Sequence, residues 1–246
     1  MKTIIAGNWK MNLTNDEVND YLNSLNKIKI NNDKEVKLFV PSIYLASAKA
    51  LNTNNNVSIG CQNMHQEKQG AFTGEISAPM LNSINIDEVL IGHSERREYF
   101  NESDVLVNKK VLQALANNIK PTICVGETLE ERQGNLTNNV LECQLKEALK
   151  DVDPESLTTV TIAYEPLWAI GTGETATSEQ AQEACSFIRQ VLGKVYGDEI
   201  ANNVAILYGG SVNNDNFNEI IKQADINGVL VGGASLKIDT FSEMMK

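Results

Sequence analysis

Eight short apolar runs, most of them rich in β-branched residues, recur along this chain with helical spacing between them, and this alternation constrains the fold most. The runs fall at residues 3–8, 36–40, 57–61, 88–92, 121–125, 159–162, 204–208 and 228–231. They are near-continuous rather than alternating, which predicts strands buried on both faces, as in a parallel sheet covered by helices. The first helix opens with Thr14 and Glu17 spaced as a capping box and carries Val18, Leu22, Leu25 and Ile28 on one face. Further helices are predicted over 44–51, 95–100, 105–117, 136–149, 178–195 and 217–223, with a last one from near Ser235. Eight strand–helix units in 246 residues match a closed (β/α)8 barrel. A doubly wound open sheet is the alternative, but no glycine-rich dinucleotide fingerprint follows the first strand. No linker or shift of composition divides the chain, so residues 1–246 are expected to form one domain.

Charge narrows the partners. The formal net charge is −11, from 32 acidic and 21 basic residues, which argues against nucleic acid or an anionic membrane surface. No apolar run approaches the length of a membrane span. The chain enters its first strand directly at Thr3-Ile4-Ile5-Ala6, so a cytoplasmic protein is expected. Cys61, Cys124, Cys143 and Cys185 are widely spaced, which predicts reduced thiols and no metal site.

In such a barrel the C-terminal ends of the strands share one rim, and chemistry collects there. The most unusual tip is Glu165, a carboxylate where the sixth strand ends, followed by Pro166, four apolar residues and Gly171-Thr172-Gly173. This pattern fits a base beside a hinged, water-excluding flap. Asn8 and Lys10 follow the first strand, His93 the fourth, Gly209-Gly210-Ser211 the seventh and Gly232-Gly233 the eighth. Taken singly, Lys10 reads as a solvated lysine, His93 as a capping or core histidine and the glycine pairs as tight turns. Their convergence on one rim changes that reading. Glycine loops let several backbone N–H groups reach one anion, so a small organic phosphate is the expected substrate class.

These tips lie within longer motifs. They are Gly7-Asn8-Trp9-Lys10-Met11-Asn12, Ile91-Gly92-His93-Ser94-Glu95-Arg96-Arg97, the run from Ala163 to Gly173, Tyr208-Gly209-Gly210-Ser211-Val212, and Val231-Gly232-Gly233-Ala234-Ser235-Leu236. Together and in this order they resemble the triosephosphate isomerase family along the whole chain. The resemblance implies the TIM-barrel fold and cofactor-free, metal-free interconversion of dihydroxyacetone phosphate and D-glyceraldehyde 3-phosphate, in glycolysis and gluconeogenesis. It implies that Glu165 moves the proton, that neutral His93 polarises the carbonyl, and that Lys10 and Asn8 stabilise the developing oxyanion. Gly171, Ser211, Gly232 and Gly233 would hold the phosphate. In supporting roles, Glu95 would pair with Lys10, Glu127 would contact Trp168, and Tyr208 would latch the flap over residues 166–176.

The long polar stretch that opens at Gln62 and closes at Glu75, with Thr73 near its tip, resembles the family's dimer loop and implies a homodimer. Departures from the family pattern are the Asn82-Ser83 pair, where Lys-Asp is frequent, and Glu174, where the flap often ends in Lys. The second of these is expected to alter only the rate of flap opening. Two rival functions remain at this stage. An aldolase would use Lys10 as a Schiff base, but Asn8 and Glu95 make a poor apolar pocket for one. A binding protein that has lost turnover would be expected to lack the base, the histidine or the flap, and none is missing.

Overall fold

The computed structural model describes residues 1–170 and 175–246. Eight parallel strands close into a barrel in sequence order, and the first also pairs with the eighth. In chain order the elements begin with β1 (Thr3–Asn8), α1 (Asn15–Leu25), β2 (Lys34–Val40), α2 (Leu45–Leu51), β3 (Val57–Cys61), α3 (Ala78–Ser83) and β4 (Glu88–Ile91). They continue with α4 (Ser94–Phe100), α5 (Asp104–Leu115), β5 (Lys120–Val125), α6 (Leu129–Gln133), α7 (Thr137–Ala148), α8 (Pro154–Leu157) and β6 (Thr161–Tyr164). Last come α9 (Ser178–Tyr196), α10 (Asp198–Ala201), β7 (Ala205–Tyr208), α11 (Phe217–Ile220), β8 (Gly228–Val231) and α12 (Ile238–Glu243). Gly171, Thr172, Gly173 and Glu174 lie outside the described residues.

The strands are buried on both faces for the reason the sequence suggests. Outward-facing side chains such as Ile5, Val36, Ile59 and Ile162 pack against the helix layer. Those of opposite parity, including Ala6, Phe39, Leu90, Ala163, Leu207 and Leu230, form a second cluster that fills the barrel. The interior is not wholly apolar, however. Lys37 and Glu88, on the inward parity of β2 and β4, form a buried ion pair at 2.9 Å. Burial pushes the Glu88 carboxyl above its ordinary value, and Lys37 holds it back.

Strand ends differ from the sequence expectation where local turns decide them. Thr159 and Val160 belong to the turn closing α8, their N–H groups donating to Ser156 and Leu157 carbonyls, so β6 starts at Thr161 and runs on to Tyr164. Glu165 is therefore the first residue past the strand. β4 stops at Ile91 because Gly92 takes φ +71°, a left-handed turn that aims His93 into the barrel mouth. The predicted capping box is present, with the Glu17 carboxylate accepting the Thr14 backbone N–H at 2.7 Å. The short helices α3, α6, α8 and α10 were not anticipated, since four to six residues are too few to display an apolar period.

Candidate active site

Glu165 is fixed by its neighbours' backbones. Its N–H donates to the Val125 carbonyl at 2.7 Å, and on the other side the Gly209 N–H donates to the Tyr164 carbonyl at 2.7 Å. Glycine is required at Gly126 and gives close clearance at Gly209. A Cβ on Gly126 would lie 1.7 Å from the Glu165 carbonyl oxygen, and one on Gly209 would lie 3.0 Å from Glu165 Cγ. The carboxylate is buried, with Oε1 3.1 Å from His93 Nε2 and Oε2 accepting the Ser94 N–H at 3.0 Å. Burial pushes this carboxyl up. His93, the Ser94 N–H and Lys10 outweigh it and leave the pKa below the ordinary value.

His93 is the N-cap of α4, and its Nδ1 accepts the Glu95 N–H at 3.2 Å. An acceptor at Nδ1 leaves the single proton on Nε2, so the geometry describes the neutral tautomer with its N–H toward Glu165. A helix start alone would lower this pKa, and burial does so too. The adjacent Glu165 carboxylate, with Glu95 behind it, more than reverses both, and the net direction is upward. The helix start therefore does not decide the ionisation of His93, because the carboxylates outweigh it.

Lys10 has φ +52°, a left-handed conformation costing a residue with a side chain about 1–2 kcal/mol. Side chains hold both of its backbone polar groups: its N–H donates to Asn8 Oδ1 at 2.9 Å, and its carbonyl accepts from Gln62 Nε2 at 2.9 Å. The strained backbone turns the ammonium across the mouth, where Nζ lies 2.6 Å from Glu95 Oε1. It also lies near the glycine loop after β8, since a Cβ on Gly232 would be 3.7 Å from Lys10 Cε.

Asn8, Lys10, His93, Glu165, Ser211, Gly232 and Gly233 all line one cavity of ≈ 310 Å³. The carboxylate and imidazole face the glycine loops across it, and Ile170 and Leu230 add apolar wall. Such an arrangement can hold a short phosphorylated carbonyl compound, polarise its carbonyl and move a proton at the adjacent carbon. The Ser211 N–H donates to the Ala169 carbonyl at 3.1 Å, tying the loop after β7 to the start of the flap. Gly171 falls outside the described residues.

The remaining predicted residues stand outside the cavity. Glu95 reaches it only through Lys10 and His93. Glu127 is fully buried, and its Oε1 receives Tyr164 Oη at 3.0 Å, Trp168 Nε1 at 3.0 Å and Arg132 Nη1 at 3.2 Å. The Arg132 guanidinium also lies 4.8 Å from the Trp168 ring centroid, so the flap's root is gripped on two sides. Burial pushes the Tyr208 hydroxyl up, offset in part by the backbone of Ala176 at the flap's far end.

Sequence reasoning missed the Ser94 N–H, Arg132 and Leu230. A backbone amide has no residue signature, and Leu230 reads simply as a strand residue. Arg132 lies on α6 and Glu127 ahead of its N-cap, five positions apart, which is not a helical pairing distance.

A family model described as triosephosphate isomerase matches residues 3–246. Curated relatives carrying that name are similar over nearly their full length. The protein of Mesomycoplasma hyorhinis is 49% identical over 250 residues, covering 99% of this chain and 98% of the relative. That of Alkaliphilus oremlandii is 48% identical over 240 residues, covering 98% and 97%, and that of Acetivibrio thermocellus 46% identical over 245 residues, covering 100% and 98%.

Proposed function

Because this chain belongs to the triosephosphate isomerase family, we propose that Glu165 is the base of its reaction and His93 the electrophile. The reaction interconverts dihydroxyacetone phosphate and D-glyceraldehyde 3-phosphate in glycolysis, by intramolecular proton transfer through an enediolate. The observation that carries the assignment of roles is the 3.1 Å approach of Glu165 Oε1 to His93 Nε2 at one end of a cavity whose other end is glycine-rich.

In this reading substrate displaces the Glu165–His93 contact. The carbonyl oxygen takes the Nε2–H, and the freed carboxylate removes a proton from the neighbouring carbon. The C–H electron pair forms the enediolate C=C bond while the carbonyl electrons move to oxygen. Lys10 stabilises that oxygen's negative charge, with Asn8 beside it. His93 then passes protons between the two oxygens, and Glu165 returns its proton to the other carbon. Ser211 and the backbone N–H groups at Gly232 and Gly233, with Gly171 of the flap, bind the phosphate. The neutral imidazole suits the electrophile's role, because it keeps one proton to donate and one lone pair for the Glu95 N–H.

A homodimer is part of the same proposal, through the loop that opens at Gln62 and closes at Glu75. Its support is the exposed apolar surface at Met11, Phe72, Tyr99 and Phe100, next to a cavity of ≈ 560 Å³ at Lys10, Gly74 and Glu75. A cytoplasmic single-domain enzyme with neither membrane nor nucleic-acid partner completes the reading, along with a role in gluconeogenesis. Among the described residues no helix is long and apolar enough to cross a membrane.

The assignment is tested by a coupled assay of D-glyceraldehyde 3-phosphate isomerisation with Glu165→Gln beside the unaltered protein. A kcat lower by about 10²–10⁴-fold is expected on removing a general base. Equal turnover in both would refute Glu165 as that base.

A further inference from the structure

Val125 and Glu127, at and just past the end of β5, accept bonds from the chain that follows β6, and Gly126 lies between them. The Glu165 N–H donates to the Val125 carbonyl and the Leu167 N–H to the Glu127 carbonyl, at 2.7 and 3.0 Å. In a parallel ladder alternate residues turn their backbone groups to opposite neighbours, so Gly126 faces the β4 side. There β4 has ended at Ile91 and the chain has turned into α4 at Ser94. Gly126 is buried, and its N–H and carbonyl both need partners. A side chain from the helix layer supplies them. Gln144, on α7, accepts the Gly126 N–H on Oε1 at 2.8 Å and donates Nε2–H to the Gly126 carbonyl at 3.0 Å. Its amide thus takes the place of the missing strand.

The placement matters because Gly126 is pressed against Glu165, with 1.7 Å between its ideal Cβ position and the Glu165 carbonyl oxygen. A cavity of ≈ 770 Å³, lined by Ser94, Gly126, Gln144, Glu165 and Leu167, lies behind this contact. Glu165 lines this cavity and also the substrate cavity of ≈ 310 Å³, so it forms a wall between them. Gly126 is the backbone that abuts Glu165 on the side of the second cavity, so holding Gly126 limits backward relaxation of that wall.

We propose that Gln144 is a positioning residue for the reaction, acting through the backbone of Gly126 to hold Glu165 against His93 and Ser94. The proposal rests on the reading of Glu165 as the base. It predicts that losing the amide costs turnover and not only stability, because a sub-ångström retreat of a base weakens proton transfer.

The test compares Gln144→Leu, which removes both bonds, with Gln144→Glu, which at neutral pH keeps the acceptor and loses the donor. Tyr196→Phe is the control, since it removes side-chain bonds to the Leu149 and Val152 carbonyls away from the site. For Gln144→Leu a roughly tenfold fall in kcat is expected, with KM within about twofold. The Glu165 carboxyl titration, followed by carbon-13 NMR, is expected to move upward as the bonds from His93 and Ser94 loosen. Gln144→Glu is expected to fall between this variant and the unaltered protein, and Tyr196→Phe to lower the melting temperature with kcat and the titration unmoved.

A Gln144→Leu protein that melts lower but keeps its kcat and its titration would overturn the proposal and leave Gln144 a structural residue. Should that variant fail to fold, Gln144→Glu carries the same decision. Undiminished activity in Glu165→Gln would instead overturn the base itself, whereas normal Gln144 variants beside an inactive Glu165→Gln would overturn only the brace.

Discussion

Glu165 and His93 shift each other's ionisation in opposite directions, and that mutual effect can be read residue by residue. The carboxyl lies below its ordinary value despite burial, because His93, the Ser94 N–H and Lys10 favour its charge. A depressed carboxyl contributes stability that is present above the unfolded-state pKa of about 4.3 and lost as pH falls through the folded value. The raised imidazole works the other way: its contribution is full below about pH 6.5 and is lost as pH rises through the folded value. Carbon-13 titration of the Glu165 carboxyl, assigned by its loss in Glu165→Gln, is therefore expected to have its midpoint below about 4.3. In that variant the His93 pKa is expected to fall, since Glu165 is what raises it. A Glu165 midpoint above the ordinary carboxyl value, or a His93 value indifferent to the substitution, would contradict this electrostatic account.

At the scale of elements, the loop from Gln62 to Glu75 is the feature the sequence described least completely. Its polarity and length marked it as a loop and the resemblance pointed to a partner, but nothing in the sequence marked its internal packing. The His65 and Phe72 rings pack with centroids 4.2 Å apart, the His65 N–H donates to the Ile76 carbonyl at 2.7 Å, and Gly74 turns the chain at φ +93°. The loop is thus a self-packed projection, suited to insertion into a preformed groove with little ordering cost. If it mediates dimerisation, sedimentation of the unaltered protein will give twice the 27.1 kDa chain mass. Thr73→Arg will then shift the protein toward monomer, with kcat reduced about tenfold or more, because Lys10 shares a cavity with Gly74 and Glu75 of that loop. A fully active monomer in the unaltered protein would exclude the dimer reading. The strands were legible as continuous apolar runs. What hid their ends was backbone behaviour: the turn at Ser156 and Leu157 that absorbs Thr159 and Val160, and the left-handed Gly92 that stops β4.

Across the whole molecule the barrel separates chemistry from anchorage. One rim carries Lys10, His93, Glu165 and the glycine loops. The opposite end carries the Lys37–Glu88 pair and Lys34, whose Nζ donates to the Met244 carbonyl at 2.9 Å and ties α12 to β2. The parallel, two-sided burial was legible in the continuous apolar runs, closure in the count of eight units with no dinucleotide fingerprint, and the rim residues in chemical side chains standing at strand ends. Lys37 and Glu88 were not legible as partners, since 51 residues separate them and only the barrel brings them together. The same holds for Gln144 and Gly126, 18 residues apart. The central claim is that Glu165 carries the substrate proton on a carboxylate through an enediolate. It is tested most directly by running the isomerisation in deuterium oxide and following the carbon-bound hydrogens by NMR. Label entering the exchanging carbon positions with the unaltered protein, and little label or turnover with Glu165→Gln, is the predicted result. Turnover with complete retention of the original hydrogen, unaffected by the substitution, would indicate direct hydride transfer and contradict the account.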